Sequence, residues 1–326
     1  AFLVLVSCLI FLIRRNIMQI KRFVMKEMDG WPKTDANLIL IFEVLLMSAF
    51  LLMQAADKNL QDLGAEHYVK AGSFPISSQI AFLFEGMSLE TIYGIERGLW
   101  WFHILGILGF MNYLPYSKHF HILLAFPNTY YSKLDAKGAF TNMASVKAEV
   151  QMMMDPNADP FAAPAEGADD AEPQRFGAKD VNDLNWVQLM NAYTCTECGR
   201  CTSECPANQT GKLLSPRKIM MDTRDRLDEY GANLDENGPD NEDGKFLLDD
   251  YITREELWAC TSCNACTEAC PLNIDPLAII LDMRRYLVME ESAAPTELNM
   301  MFSNVENNGA PWQFPAVDRL NWKDEA

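Results

Sequence analysis

Histidine is scarce in this chain of 326 residues, with His67, His103, His119 and His121 as the only four. No G-x-G-x-x-G follows a strand-like run, no phosphate-binding glycine loop occurs, and there is no G-x-S-x-G elbow. These absences exclude a dinucleotide-binding domain, a P-loop nucleotidase and a hydrolase of the serine-elbow type. Strand-like alternation is weak throughout, so a mainly α fold is expected. Basic charge is short in the second half: residues 155–326 hold 14 Lys and Arg against 33 Asp and Glu, whereas residues 1–154 hold 13 against 12. Nearly all of the formal net charge of −18 therefore lies in the second half. Such acidity excludes nucleic acid, whose phosphates need a basic face, and suits a soluble partner with a basic docking surface.

Outside two tight blocks the only cysteine is Cys8, read as a small buried apolar residue. Secreted disulfide frameworks are usually small, with cysteines spread along the chain. Packing as dense as this favours ligation by thiolate in a reducing compartment.

The first half carries the long apolar runs. Ala1 to Ile13 is too short to cross about 30 Å of hydrocarbon, which needs roughly 20 residues. The chain does not begin with Met, so this run is expected to be the tail of a spanning helix with sequence upstream. A second run covers Asn37 to Ala56. A third covers Gly98 to Leu114 and is expected to continue through Pro115, and the short Ile76 to Phe84 reads as a re-entrant or surface-lying helix. Loop 14–36 carries Arg14, Arg15, Lys21, Arg22, Lys26 and Lys33, while loop 57–95 carries only Lys58 and Lys70. The positive-inside rule therefore puts the first loop and both cysteine blocks on the cytoplasmic face of a multi-pass protein in the cell's inner membrane. A buried helical core in a soluble protein is the alternative.

Asp155 to Asp180 is rich in Pro, Ala and acids and reads as a linker or strap. Asn233 to Gly244 is acidic and lacks the register of an EF-hand, so a solvated loop is expected there. Beyond the linker the chain repeats itself. Cys195–Pro206 reads CTECGRCTSECP and Cys260–Pro271 reads CTSCNACTEACP. Each block precedes a capped proline, Ser215-Pro216 or Asp275-Pro276, that opens a helix toward Leu227 or Glu290. Thr253 and Glu256 form a capping box before the second block. Two halves so related suggest a pseudo-twofold helical ferredoxin.

Each block is C-x-x-C-x-x-C-x-x-x-C-P. Three thiolates at steps of three can hold three irons of a 4Fe–4S cluster, and in two-cluster ferredoxins the fourth cysteine ligates the other cluster. Cys195, Cys198, Cys201 and Cys270 are thus assigned to cluster 1, and Cys260, Cys263, Cys266 and Cys205 to cluster 2. Structural zinc more often uses paired C-x-x-C units. With all eight cysteines as ligands and no pocket motif beside them, the clusters read as a wire. A disulfide reductase acting at an open iron site is the rival reading.

His103 and His121 lie 18 residues apart, which on one continuous helix means one face and about 27 Å of axis. They are the candidate axial ligands for one or two haem b groups, His being a common haem ligand. His119 would then face away. The alternative is a polar boundary stretch, YSKHFH, on a haem-free anchor, and Trp100, Trp101 and Tyr113 read as interfacial belt residues.

On the two cysteine blocks and the segment WWFHILGILGFMNYLPYSKHFHILLAFPN, the chain resembles the membrane iron–sulfur proteins related to heterodisulfide reductase. Their N-terminal domain is similar to the haem b (gamma) subunit of respiratory nitrate reductase. The resemblance implies a transmembrane helical domain over 1–135, a strap over 136–183 and a helical two-cluster ferredoxin domain over 184–326. It also implies exchange of electrons with the membrane quinone pool through a paired-histidine motif spaced like His103 and His121. A cytoplasmic redox partner subunit is expected, either a CCG-type cysteine-rich domain or a flavoprotein. The sequence departs from many relatives in having no CCG motif up to Ala326 and no upstream histidine ligands.

Overall fold

The computed structural model describes residues 1–136, 138–155, 175–239, 241 and 243–324. Among them there is no strand, only an isolated bridge between Leu248 and Ile252. The mainly α class expected from the sequence is what the chain adopts.

In the first half, helices Phe2–Asn16 and Leu89–Tyr113 both pack on the long helix Trp31–Asp62. The last of these opens with Pro32, where a missing N–H costs nothing. It is the one helix among the described residues that is long and apolar enough, by length and composition, to cross a membrane. Leu38, Ile41 and Leu45 on it stay exposed, as do Trp101, Leu105, Leu108 and Met111 on Leu89–Tyr113. The short apolar run near 80 folds as one turn of α-helix, Ser77–Ile80, followed by a tight turn, Ala81–Phe84.

The third helix does not run on through Pro115. It ends at Tyr113, the backbone tightens over Leu114–Tyr116, and Ser117 is extended at φ −119° and ψ 151°. The reversal is fixed by Asp35, 2 % exposed on the long helix. Its carboxylate accepts hydrogen bonds from the Tyr113 hydroxyl, from Ser117 Oγ at 2.7 Å and from the Lys118 amide at 3.1 Å. A new helix then starts at His121 and runs to Tyr130.

In the second half, four main helices, Trp186–Thr194, Pro216–Asn237, Arg254–Ala259 and Pro276–Met289, enclose a core of Ile219, Met220, Leu247, Leu257, Ile279, Ile280 and Leu287. The caps form as the sequence signals: Ser215 accepts from the Lys218 amide, Asp275 from the Ala278 amide, and Thr253 and Glu256 cap reciprocally. The Pro216 helix outruns its expected end by ten residues, reaching Asn237, so part of the anticipated loop is helical. Arg226 within it is 1 % exposed and pairs with Asp180 at 2.6 Å and Asp243 at 2.5 Å. Of the strap anticipated over 136–183, residues 137 and 156–174 lie outside the described residues, and Ala144–Met154 forms a helix.

Candidate metal centres

Each cysteine block leaves a short helix and twice enters left-handed backbone. In the first block Glu197 (φ 56°) and Gly199 (φ 72°) do so, and in the second Ser262 (φ 55°) and Asn264 (φ 61°) occupy the same repeat positions. Left-handed backbone is unfavourable for residues other than glycine and persists where the surroundings dictate it. The Ser262 amide donates to Cys260 Sγ at 3.4 Å. The repeat extends to side chains. Thr202, after the third cysteine, lies 2.9 Å from Ser215 Oγ, and Thr267, its counterpart, donates to Asp275 at 3.1 Å. Both acceptors are the N-caps of the next helix, so each loop is tied to its own helix in the same way.

Cys195, Cys198, Cys201 and Cys270 line one void. Cys205, Cys260, Cys263 and Cys266 line a second. The fourth cysteine of each block therefore stands with the other block's three. None is in a disulfide. Among the described residues no three His, Cys, Asp or Glu converge closely enough to hold one metal ion. Mononuclear zinc would need four ligands at about 2.3 Å from a single point. Four thiols spread round a void fit a group with metal at several corners, as a 4Fe–4S cluster has.

Burial pushes the Cys195 and Cys266 thiols up to about 12 and raises Cys201, Cys260 and Cys270 as well. Without metal these sites hold protons. Bound iron would supply the positive charge that displaces them, since a coordinating thiol is deprotonated outright.

The first four-thiol site sits against the first half of the chain. Glu197, 2 % exposed inside the cysteine loop, pairs with Lys118 and, at 2.9 Å, with Arg224. Arg217, fully buried, donates to the Arg22 carbonyl at 2.6 Å and to Glu27 at 2.8 Å. Asn128 donates to the Leu272 carbonyl at 2.7 Å. At the second site Cys263 is exposed. Glu197 and Arg217 escape a search for cysteine and histidine ligands. The signal available was the repeat itself, because Arg217 follows Ser-Pro where the other half has Leu277 after Asp-Pro.

The histidines do not share a helix. His103 Nδ1 lies 3.2 Å from the Leu46 carbonyl, whereas His121 Nδ1 lies 2.9 Å from the Lys118 carbonyl, beyond the Ser117 reversal. His119 is not turned away from His121: their ring centres are 5.6 Å apart. Both line a cavity with Phe11, Arg15, Arg22 and Arg200, between the first helix and the first cysteine loop. Burial and the neighbouring His121 lower the pKa of His119.

Residues 194–274 match the family model of the 4Fe-4S dicluster domain. Over 89 % of its length the chain is 30 % identical to a probable iron-sulfur-binding oxidoreductase, FadF, of Bacillus subtilis, covering 41 % of that protein. Over most of its length the chain is similar to iron–sulfur oxidoreductases. It is 29 % identical to the EtfAB:quinone oxidoreductase of Syntrophomonas wolfei, over 92 % of this chain and 41 % of that one. One component of the dihydromethanophenazine:CoB–CoM heterodisulfide reductase of Methanosarcina mazei is 28 % identical over 44 % of this chain and 35 % of its own. The chain thus spans about two fifths of the length of the curated relatives it matches over most of its length. No solved structure matches it.

Proposed function

We propose that the chain is the electron-transfer part of a membrane-bound oxidoreductase, relaying electrons between quinone and a soluble redox partner through two 4Fe–4S clusters. The observation that carries this is the crosswise grouping of eight free thiols into two sets of four, one set held against the first half of the chain at Arg22, Glu27, Lys118 and Asn128 and the other open at Cys263. Bound clusters supply one-electron storage. The chain's own residues hold them, wrap them in left-handed loops and fix the first against the membrane half. In this reading residues 1–135 span the inner membrane more than once, 136–183 are a strap, and 184–326 are the dicluster domain on the cytoplasmic side. The exposed apolar side chains of Trp31–Asp62 and Leu89–Tyr113 suit lipid, and the name of the Syntrophomonas relative agrees with a quinone link.

The test exchanges cysteines singly. Cys270→Ser and Cys198→Ser should abolish the same one of two cluster EPR signals, and Cys205→Ser and Cys263→Ser the other. Loss paired by block rather than crosswise would defeat the ligand sets.

Haem b at His103 and His121 belongs to the same proposal. The cavity at His119 and His121 joins the apolar side chains Phe11, Phe23, Ile39 and Leu40 to a basic rim, and two of its buried donors, Arg15 Nη1 and Arg22 Nε, have no hydrogen-bond partner. That suits a flat apolar group with carboxylates. The reversal at Ser117 favours the second reading, a haem-free anchor, and a pyridine haemochrome spectrum of the purified chain decides between them.

A further inference from the structure

We propose that the two cluster sites, alike in backbone and ligands, are tuned apart by Arg217, so that the site beside the membrane half holds the electron at the higher potential. The inference rests on the iron–sulfur reading above and assigns each site its place along the wire.

The repeat makes the comparison internal. Ser215-Pro216-Arg217 and Asp275-Pro276-Leu277 open equivalent helices, so Arg217 and Leu277 are symmetry mates. Arg217 lines the first void and Leu277 the second. Arg217 is wholly buried, and its Nε has no hydrogen-bond partner although Nη1 and Nη2 are engaged. The loop is shaped around it. A Cβ at Gly199 would lie 2.5 Å from Arg217 Nη1, whereas the equivalent position in the other loop carries Asn264.

Charge follows the same division. Around the first site lie Arg200, Arg217, Arg224 and Lys118 against Glu27, Glu197 and Asp225. Near the second, Arg284 donates to the Cys260 carbonyl at 2.6 Å, and the Asp275 carboxylate accepts from Thr267, beside Cys266, at 3.1 Å. Four cations against three carboxylates leave the first site net positive, and one against one leaves the second neutral. A cluster gains one negative charge on reduction, and its potential follows local net charge, hydrogen bonds to sulfur and solvent exposure. Exposure at Cys263 works the other way, by letting water stabilise the reduced second cluster. That water acts on one ligand at the rim, while Arg217, partly offset by Glu27, acts from the buried interior on the cluster side of the loop together with Arg200, so the first site keeps the higher potential.

The experiment is an anaerobic EPR redox titration of the full chain in detergent, with both clusters loaded. Arg217→Leu should lower the higher of two potentials and leave the lower one in place. Arg200→Gln replaces an exposed cation at the same void and should do the same to a lesser extent, which covers the case in which Arg217→Leu does not fold. Leu277→Arg should raise the lower potential. A fall in the lower potential with either arginine variant, or no movement in either, overturns the tuning. A wild-type chain that binds no clusters overturns instead the reading on which it rests.

Discussion

Gly199→Ala tests whether the first cysteine loop is moulded on a buried arginine. The backbone there is left-handed at φ 72°, a conformation that costs a residue with a Cβ about 1–2 kcal/mol. The added carbon would stand 2.5 Å from Arg217 Nη1 and 3.3 Å from its Cζ and from Arg22 Cβ. An arginine tip would ordinarily swing aside, but this one is held by the Arg22 carbonyl at 2.6 Å and Glu27 at 2.8 Å. Displacing it sacrifices at least one hydrogen bond to a charged group, worth about 1.5–3 kcal/mol. Reduced freedom of the unfolded chain returns about 0.4–1 kcal/mol. The net loss is about 2–4 kcal/mol, with cluster 1 the first to go. Asn264→Ala puts alanine at the equivalent left-handed position of the other loop, where the native residue already carries a Cβ, and should cost about 1 kcal/mol. Iron content and denaturant unfolding of both variants, in the same detergent, measure the difference. Equal losses from the two substitutions would refute the reasoning.

Arg226→Leu should destabilise the dicluster half by about 3–5 kcal/mol, because Asp180, 5 % exposed, loses its buried partner; a denaturant midpoint within error of wild type would contradict this. Glu27 is pulled in two directions: burial raises its pKa, but hydrogen bonds from Arg217 and Ser215 outweigh that and hold it below the ordinary glutamate value. A depressed carboxylate contributes stability that is complete above the unfolded pKa, near 4.5, and is lost as pH falls through the folded value. The stability advantage of wild type over Glu27→Gln should therefore be full at pH 6 and shrink below about pH 4.5; a constant gap between pH 6 and 3.5 would remove Glu27 as the acid-sensitive link.

The cysteine chemistry was legible because spacing alone dictates it. Cys195 to Cys205 and Cys260 to Cys270 must each curl to present sulfurs at steps of three, and the capped prolines at 216 and 276 announce the helices that follow. The helix ends were less legible because their causes are remote in sequence. Tyr113 ends its helix, and Ser117 turns the chain, only because Asp35, 78 residues before the tyrosine, collects three donors there. Local apolar pattern predicted continuity, and a carboxylate on another helix overrode it. The Pro216 helix similarly runs past Leu227 because Arg226 finds Asp180 and Asp243, one on either side in sequence. Glu197 and Arg217 were invisible for a related reason. A charged residue beside a cysteine block reads as solvated until its partners, Lys118 and Glu27, arrive from the other half of the chain.

Those partners decide how the two halves meet. An apolar interface tolerates sliding, since burial is non-directional and roughly proportional to area. Here the meeting surface is set by buried charge. Arg217 is fully buried and Glu197 is 2 % exposed, and each takes part of its compensation from the first half of the chain, Arg217 from Glu27 and the Arg22 carbonyl, Glu197 from Lys118. A shift of one helical turn would leave both uncompensated, and stranding one partner of a buried pair costs about 3–5 kcal/mol. Geometry of that kind adds little net stability compared with an apolar contact of the same size, but it permits one register. For a relay this is the useful property, because transfer between carriers depends on their separation. The Lys118–Glu197 pair lies between the reversal at Ser117 and the loop that carries Cys195 and Cys198, so the same contact that docks the halves also fixes how far the first site stands from the ends of the apolar helices.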